Sequence, residues 1–205
     1  MRKLMVTTFL SLDGVMQAPG GPDEDRDGGF GHGGWGAPHF DEQFVKVMET
    51  LVERGEALLL GRRTYEIFAA SWPKAGPDDV IGAKLNSMPK YVASRTLDQV
   101  TWQNSTLLTG AVPEAVAELK RGEGGEIQVH GSGDLLQTLV AHDLVDEFHL
   151  VVCPVLLGSG KRLFGDGTIP AGLQLAGSTS TATGVVISTY RRAGKVEYGV
   201  MEVGD

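Results

Sequence analysis

The stretch Ala57-Leu58-Leu59-Leu60-Gly61-Arg62-Arg63-Thr64-Tyr65-Glu66 decides the fold class. Four apolar residues ahead of a glycine read as a buried strand. The residues from Arg62 to Ala70 then continue as a helix until Trp72-Pro73 breaks it. A buried strand that turns through glycine straight into a helix is half of a parallel crossover unit.

Upstream of this unit, Phe40, Phe44, Val47, Met48, Leu51 and Val52 recur at three- and four-residue spacing, which predicts a helix over about 39–54 ended by Gly55. Lys3 to Leu10 reads as a strand running into Ser11-Leu12-Asp13-Gly14. Between them, residues 20–36 hold eight glycines, several aspartates and Trp35. Such a segment is costly to order and has little to bury, so it reads as a long mobile loop, either a lid or a disordered insertion. Trp35 is expected to stand free among those glycines, its ring available to stack on a ligand.

Downstream, Tyr91 to Ser94 and Thr106 to Thr109 read as short strands, and Pro113 to Lys120 as a helix with proline in its first turn. Glu126 to His130 is a strand that meets Gly131-Ser132-Gly133, after which Leu135, Leu136, Leu139 and Val140 have helical spacing. The last third changes character: Asp146 to Cys153, Gln174 to Ser178 and Val185 to Arg192 are strand-like with no long helix between them. The expectation is a single α/β domain over residues 1–205, with a mostly parallel central sheet, antiparallel C-terminal strands and helices on both faces. The long apolar strands at 146–152 and 185–190 would form an edge that needs covering, which suggests a homodimer.

Composition narrows the function. The chain of 205 residues is 41% hydrophobic, enough for one substantial core. A formal charge of −8 with no basic block argues against nucleic acid as a partner. The apolar runs are too short to span a bilayer and no signal-peptide pattern opens the chain, so no membrane partner and a cytoplasmic location are expected. Cys153 is the single cysteine and sits in an apolar run as a core thiol. Asp23, Asp25, Asp27 and Gly28 match the first half of a calcium loop, but position twelve of that pattern is Gly34 rather than glutamate. The five histidines lack metal-site spacing and no G-x-S-x-G elbow is present, so no metal and no serine nucleophile are proposed.

Three strand ends carry the chemistry. Gly61-Arg62-Arg63-Thr64 offers a tight turn, free helix amides and phosphate donors, or simply a solvated helix start. Ser94-Arg95-Thr96 sets a hydroxyl beside a guanidinium, which suits a phosphate monoester. Gly131-Ser132-Gly133 lets backbone amides approach a pyrophosphate, or is a plain turn; Leu136 denies it the full dinucleotide fingerprint.

In their order along the chain, these residues resemble a known family. Gly61 to Glu66 is similar to the phosphate-binding segment of dihydrofolate reductases, Ser94-Arg95 to their site for the adenosine 2′-phosphate, and Gly131-Ser132-Gly133 to their paired-glycine turn under the cofactor. The reductase domain of riboflavin biosynthesis and its stand-alone relatives resemble the chain more closely. They share Ser11-Leu12-Asp13-Gly14 and a late stretch matched by Leu144-Val145-Asp146-Glu147 and by Pro154 to Phe164. The resemblance spans roughly residues 3 to 192.

It implies a dihydrofolate-reductase-like fold and an NADPH site built from Gly61, Arg62, Thr64, Ser94, Arg95, Gly131, Ser132 and Gly133, with the amides of Asp134 and Leu135. Hydride would pass to a small heterocyclic or carbonyl substrate near the first helix and the loop after Asp13. Asp41 and Asp13 are the candidate catalytic acids, although the first also suits a helix cap and the second a turn. Trp35 and Phe40 are the candidate substrate contacts. The position matching the family's acid on the first helix falls near Val45, which leaves a non-catalytic NADPH-binding or redox-sensing module as the alternative. Pro154 to Phe164 reads as a structural loop or as part of the substrate wall. No zinc deaminase signature of the H-x-E and P-C-x-x-C type is present, so the riboflavin substrate does not carry over.

Overall fold

In the computed structural model, which describes residues 1–201, the strands that read as continuous apolar runs are those covered on both faces. β1 (Leu4–Ser11), β2 (Gly55–Gly61) and β5 (Glu126–His130) occupy the middle of one sheet. In β2 the alternation is resolved residue by residue. Ala57 and Leu59 join a core with Val116 of α4 (Val112–Arg121) and with Leu135, Leu136 and Leu139 of α5 (Gly133–Ala141). Leu58 and Leu60 face the other way, toward Val52 of α1 (Glu42–Glu53), Tyr65 of α2 (Arg62–Ser71) and Leu85 of α3 (Val80–Ser87).

The outer strands are β3 (Lys90–Ala93), β4 (Ser105–Leu107), β6 (Glu147–Cys153), β7 (Leu173–Ser180) and β8 (Val186–Arg192), in the order β4-β3-β2-β5-β1-β6-β8-β7. The first six strands of the chain run parallel, and β8 pairs antiparallel with both β6 and β7. The mixed sheet with antiparallel C-terminal strands therefore stands as expected. Among the described residues, no helix is long and apolar enough to cross a membrane.

Three details differ from the sequence expectations. Helix α3 has no counterpart in them: it is short, without a strong apolar stripe, and is started by Asp79, whose carboxylate accepts from the Gly82 amide at 2.8 Å. The first helix starts at Glu42 rather than near 39, because Ala37–His39 forms a separate 3-10 turn. The sheet edge is not made by β6 and β8, which pair with each other. It is β7, all eight of whose residues are exposed.

The largest correction concerns residues 20–36. Trp35 does not stand free. It is 8% exposed and packs with Val15, Ala18, Phe30, Phe44 and Met48, and its indole Nε1 donates to the Gln17 carbonyl at 2.7 Å. The glycines let the loop fold back on itself. A Cβ at Gly33 would lie 2.6 Å from the Gly21 carbonyl oxygen and 2.7 Å from that of Pro22. Glycine here serves close backbone approach, so the segment is built around a buried indole instead of remaining loose.

Replacing Trp35 by Ala is therefore expected to cost about 3–5 kcal/mol of stability. Trp35→Phe keeps most of the buried ring and loses about 1 kcal/mol with the indole hydrogen bond. Thermal melts of both variants check this; an unchanged melting temperature for Trp35→Ala would return the ring to the surface.

Candidate functional site

Parallel strands bring their carboxyl ends to one side of the sheet, where the turns into the following helices meet. Around the ends of β1, β2, β3 and β5 lies a cleft of about 1140 Å³. All ten residues singled out around the three strand ends line it: Gly61, Arg62 and Thr64; Ser94 and Arg95; Gly131, Ser132, Gly133, Asp134 and Leu135. Phe40 lines it as well. Trp35, Asp13 and Asp41 do not.

The β2–α2 and β5–α5 turns touch. A Cβ at Gly61 would lie 3.0 Å from both Cβ and Oγ of Ser132, so glycine makes the close approach without forcing the serine to shift. The Ser132 hydroxyl accepts from the Gly61 amide at 2.9 Å and donates to Thr64 Oγ1 at 2.8 Å. Ser132 holds a left-handed backbone, φ 72, to do so. With its oxygen committed sideways it does not cap α5, and Gly61 has no side chain to cap α2. Both helix starts thus turn uncapped amides toward the cleft, a ready anion site. By contrast, Asp41 caps α1 and Asp79 caps α3.

The cleft's cations divide into two groups. Arg63 pairs with Asp25 at 3.1 Å and Asp27 at 2.6 Å, and Lys161 pairs with the same two carboxylates at 2.7 and 3.0 Å. These four side chains line the cleft and lock the loop that carries Asp25 and Asp27 to α2 and to the segment after Gly158. Burial pushes the Asp25 carboxyl up, but the Lys161 hydrogen bond, the Asp27 amide and the two cations outweigh it and hold it below its usual value. Arg62 and Arg95 form no ion pair among the described residues. Ser94 Oγ accepts from the amides of Thr96 at 3.1 Å and Leu97 at 3.0 Å, fixing the turn that carries Arg95.

Neither proposed acid lines the cleft. The Asp41 carboxylate accepts from the Phe44 amide at 2.8 Å and from the Thr183 hydroxyl at 3.2 Å, joining α1 to the turn before β8. The Asp13 carboxylate accepts from the Ser11 hydroxyl at 2.7 Å and from the amides of Leu157 and Gly158 at 3.1 and 2.8 Å. The Ser11 hydroxyl foremost, then the Leu157 amide, holds the Asp13 carboxyl down at about 2. Asp13 thereby staples the loop after β6 to the end of β1. Within Pro154 to Phe164, the amides of Leu157 and Gly158 hold Asp13 and Lys161 reaches the cleft wall.

The deep wall is aromatic. Phe40 and Phe44 stack with ring centroids 4.3 Å apart, Phe9 lies 5.4 Å from Phe40, and Val45 lines the same cleft. Sequence reasoning missed the four-charge lock and several polar residues of the cleft lining, among them Gln17, Thr138 and His130. The signal for His130 was its place at the carboxyl end of β5, immediately before Gly131. Burial, then the neighbouring His149, pushes the His130 imidazole down to about 4. Among the described residues, no group of three or more His, Cys, Asp or Glu could hold a metal ion.

Comparison with known proteins places this architecture. A family model described as the RibD C-terminal domain matches residues 2–187. The uncharacterized protein YyaP of Bacillus subtilis is 28% identical over 196 residues, covering 92% of this chain and 94% of its own. A structure from Shewanella sp. PV-4, of a protein named for riboflavin biosynthesis, superposes with TM-score 0.67 at 24% identity over 93% of this chain and 98% of that one. The dihydrofolate reductase of Enterococcus faecalis, solved in complex with NADP(H), superposes with TM-score 0.58 at 14% identity over 93% and 96% of the two chains. The last two establish a shared dihydrofolate-reductase-like fold.

The Asp13 staple predicts a signature in acid. Its carboxyl is lowered from the usual 3.8 to about 2 in the folded chain, so its contribution is complete above 3.8 and is lost as pH falls through about 2. Asp13→Asn is expected to melt at a lower temperature than wild type at neutral pH. The difference should shrink as pH drops through that window, as followed by melts across the acid range; a constant difference would refute the assignment.

Proposed function

The chain belongs to the RibD C-terminal domain family, and on that premise we propose that it is a reductase that draws hydride from NADPH and delivers it to a small heterocyclic or carbonyl substrate. One observation carries the reading. Two helix starts without side-chain caps, those of α2 and α5, meet in a single cleft with the guanidinium groups of Arg62 and Arg95, which have no ion-pair partner among the described residues, next to an apolar aromatic wall.

The residues present fit a dinucleotide. Amides at the starts of α2 and α5 would hold the pyrophosphate, and Gly133 leaves room above them, since a Cβ there would meet only the Met16 sulfur at 3.7 Å. Arg95, on the turn fixed by Ser94, would hold the 2′-phosphate, and no Asp or Glu stands at 94–96 to prefer a ribose hydroxyl. When bound, the cofactor supplies the hydride. Phe9, Phe40 and Phe44 bound the space where an acceptor would lie and keep water from its face. The Arg63–Asp25–Asp27–Lys161 lock holds the covering loop over the same cleft.

A second reading, a non-catalytic NADPH-binding module, is favoured by one specific fact: Asp13 and Asp41 are both tied to backbone amides outside the cleft. The two readings separate by turnover. A reductase lowers NADPH absorbance when pterins, pyrimidine sugars or small carbonyl compounds are added, whereas the module binds NADPH and leaves the absorbance unchanged.

Cofactor choice is testable on Arg95. A dianionic phosphate facing this guanidinium forms charge-assisted bonds worth about 1.5–3 kcal/mol, or roughly ten- to a hundredfold in affinity. Titration of Arg95→Ala is expected to show that loss for NADPH and little change for NADH. Equal losses for both cofactors would remove Arg95 from the 2′-phosphate site.

A further inference from the structure

His130 is the last residue of β5 and one of the polar groups on the cleft wall that the cofactor reading leaves unused. Its protonation pattern follows from its neighbour. Gln128 Nε2 donates to the Leu51 carbonyl at 2.6 Å, and a carbonyl can only accept, so the amide NH₂ faces Leu51. Gln128 Oε1 is then the atom that meets His130 Nε2 at 3.2 Å. An amide oxygen is also only an acceptor, so His130 Nε2 carries the hydrogen. The ring is neutral, since burial holds it down at about 4, and Nδ1 is left as a bare lone pair.

That lone pair has no hydrogen-bond partner among the described residues. Nor is it sealed in the core: the buried side-chain polar atoms without a partner are Thr8 Oγ1 and Ser105 Oγ, and Nδ1 is not one of them. His130 itself is 8% exposed and lines the cleft. The Phe68 ring lies beside it, centroid 6.3 Å away, and the Phe40–Phe44 stack lines the same cleft.

We propose that His130 Nδ1 is a specificity-determining acceptor that selects a flat nitrogen heterocycle presenting a ring N–H, over acceptors whose edge carries carbonyl oxygens alone. The inference rests on the reductase reading and chooses between the two substrate classes left open there. The recognition is fixed in sense. The Leu51 carbonyl orients Gln128, Gln128 orients His130, and a buried acceptor facing a ligand without a donor stays unpaired. A neutral imidazole does this without a carboxylate, in a cleft that Val45 lines and Asp41 does not.

The test uses a matched pair of fluorescent probes, lumazine and 1,3-dimethyllumazine, which differ in N–H against N–CH₃. Both are titrated into the full chain saturated with NADPH. Wild type is expected to bind lumazine roughly tenfold more tightly, the range of one neutral hydrogen bond made or left unpaired. In His130→Phe the ratio should fall toward one, while NADPH affinity stays near wild type. His130→Gln, which keeps an acceptor of smaller volume, should retain part of the preference and guards against misfolding of the Phe variant. Equal binding of the two probes by wild type would overturn the proposal, as would a preference that survives in His130→Phe. Binding of neither probe while NADPH still binds would overturn it too and leave the cofactor reading standing; failure of NADPH itself to bind would sink the reductase reading instead.

Discussion

The contact between Gly61 and Ser132 is the constraint on which the site depends. β2 and β5 are neighbours in the sheet, and each turns directly into a helix at its carboxyl end, so the two turns compete for the same space. The competition is resolved by a missing side chain on one turn and a strained backbone on the other, φ 72 at Ser132, a left-handed conformation that costs a non-glycine residue about 1–2 kcal/mol. Two hydrogen bonds through the serine hydroxyl offset that strain. A consequence is that the serine is spent on the joint and cannot cap its own helix. The free amides that make the cleft attractive to an anion are thus a by-product of the packing that holds two crossovers together.

Charge is distributed with the same economy. The chain carries a formal −8, yet its cleft holds four cations. Asp25 and Asp27 neutralise Arg63 and Lys161 and turn them into a mechanical link between the covering loop, α2 and the loop after β6. Arg62 and Arg95 are left to face the cleft against an acidic background, which focuses positive potential where a phosphate would arrive. The pairs are partly exposed, so the link is better described as a positioning device than as a large store of stability.

The acidic residues of the presumed chemistry are used as fasteners. Asp13 and Asp41 each bind backbone amides across more than a hundred residues of sequence, one to Leu157 and Gly158, the other to Thr183 as well as its own helix. A carboxylate that accepts several amides is held ionised and immobile, which is the opposite of a proton donor poised near neutrality. On the strand ends themselves the cleft is lined by neutral polar residues, His130 at the end of β5 among them.

Periodicity and punctuation by themselves determined the order of the strands and of every α-helix but α3, the parallel-to-antiparallel change and the three strand ends that meet at the cleft. Those features rest on local rules: alternation in β2, glycine after Leu60, and helical spacing after Gly133. Tertiary structure alone decided what long-range partners do. Trp35 looked free because its neighbours in sequence are glycines, while its neighbours in space are Phe30, Phe44 and Met48. The unpredicted α3 depends on a cap and on packing against α1 rather than on a strong apolar stripe. Asp13 and Asp41 read as acids or as turn and cap residues, and the amides that hold them, those of Leu157, Gly158 and Thr183, lie remote along the chain. A side chain's periodicity is local and therefore legible; the partner that fixes its role is contributed by another part of the chain, and no spacing in the sequence encodes which one arrives.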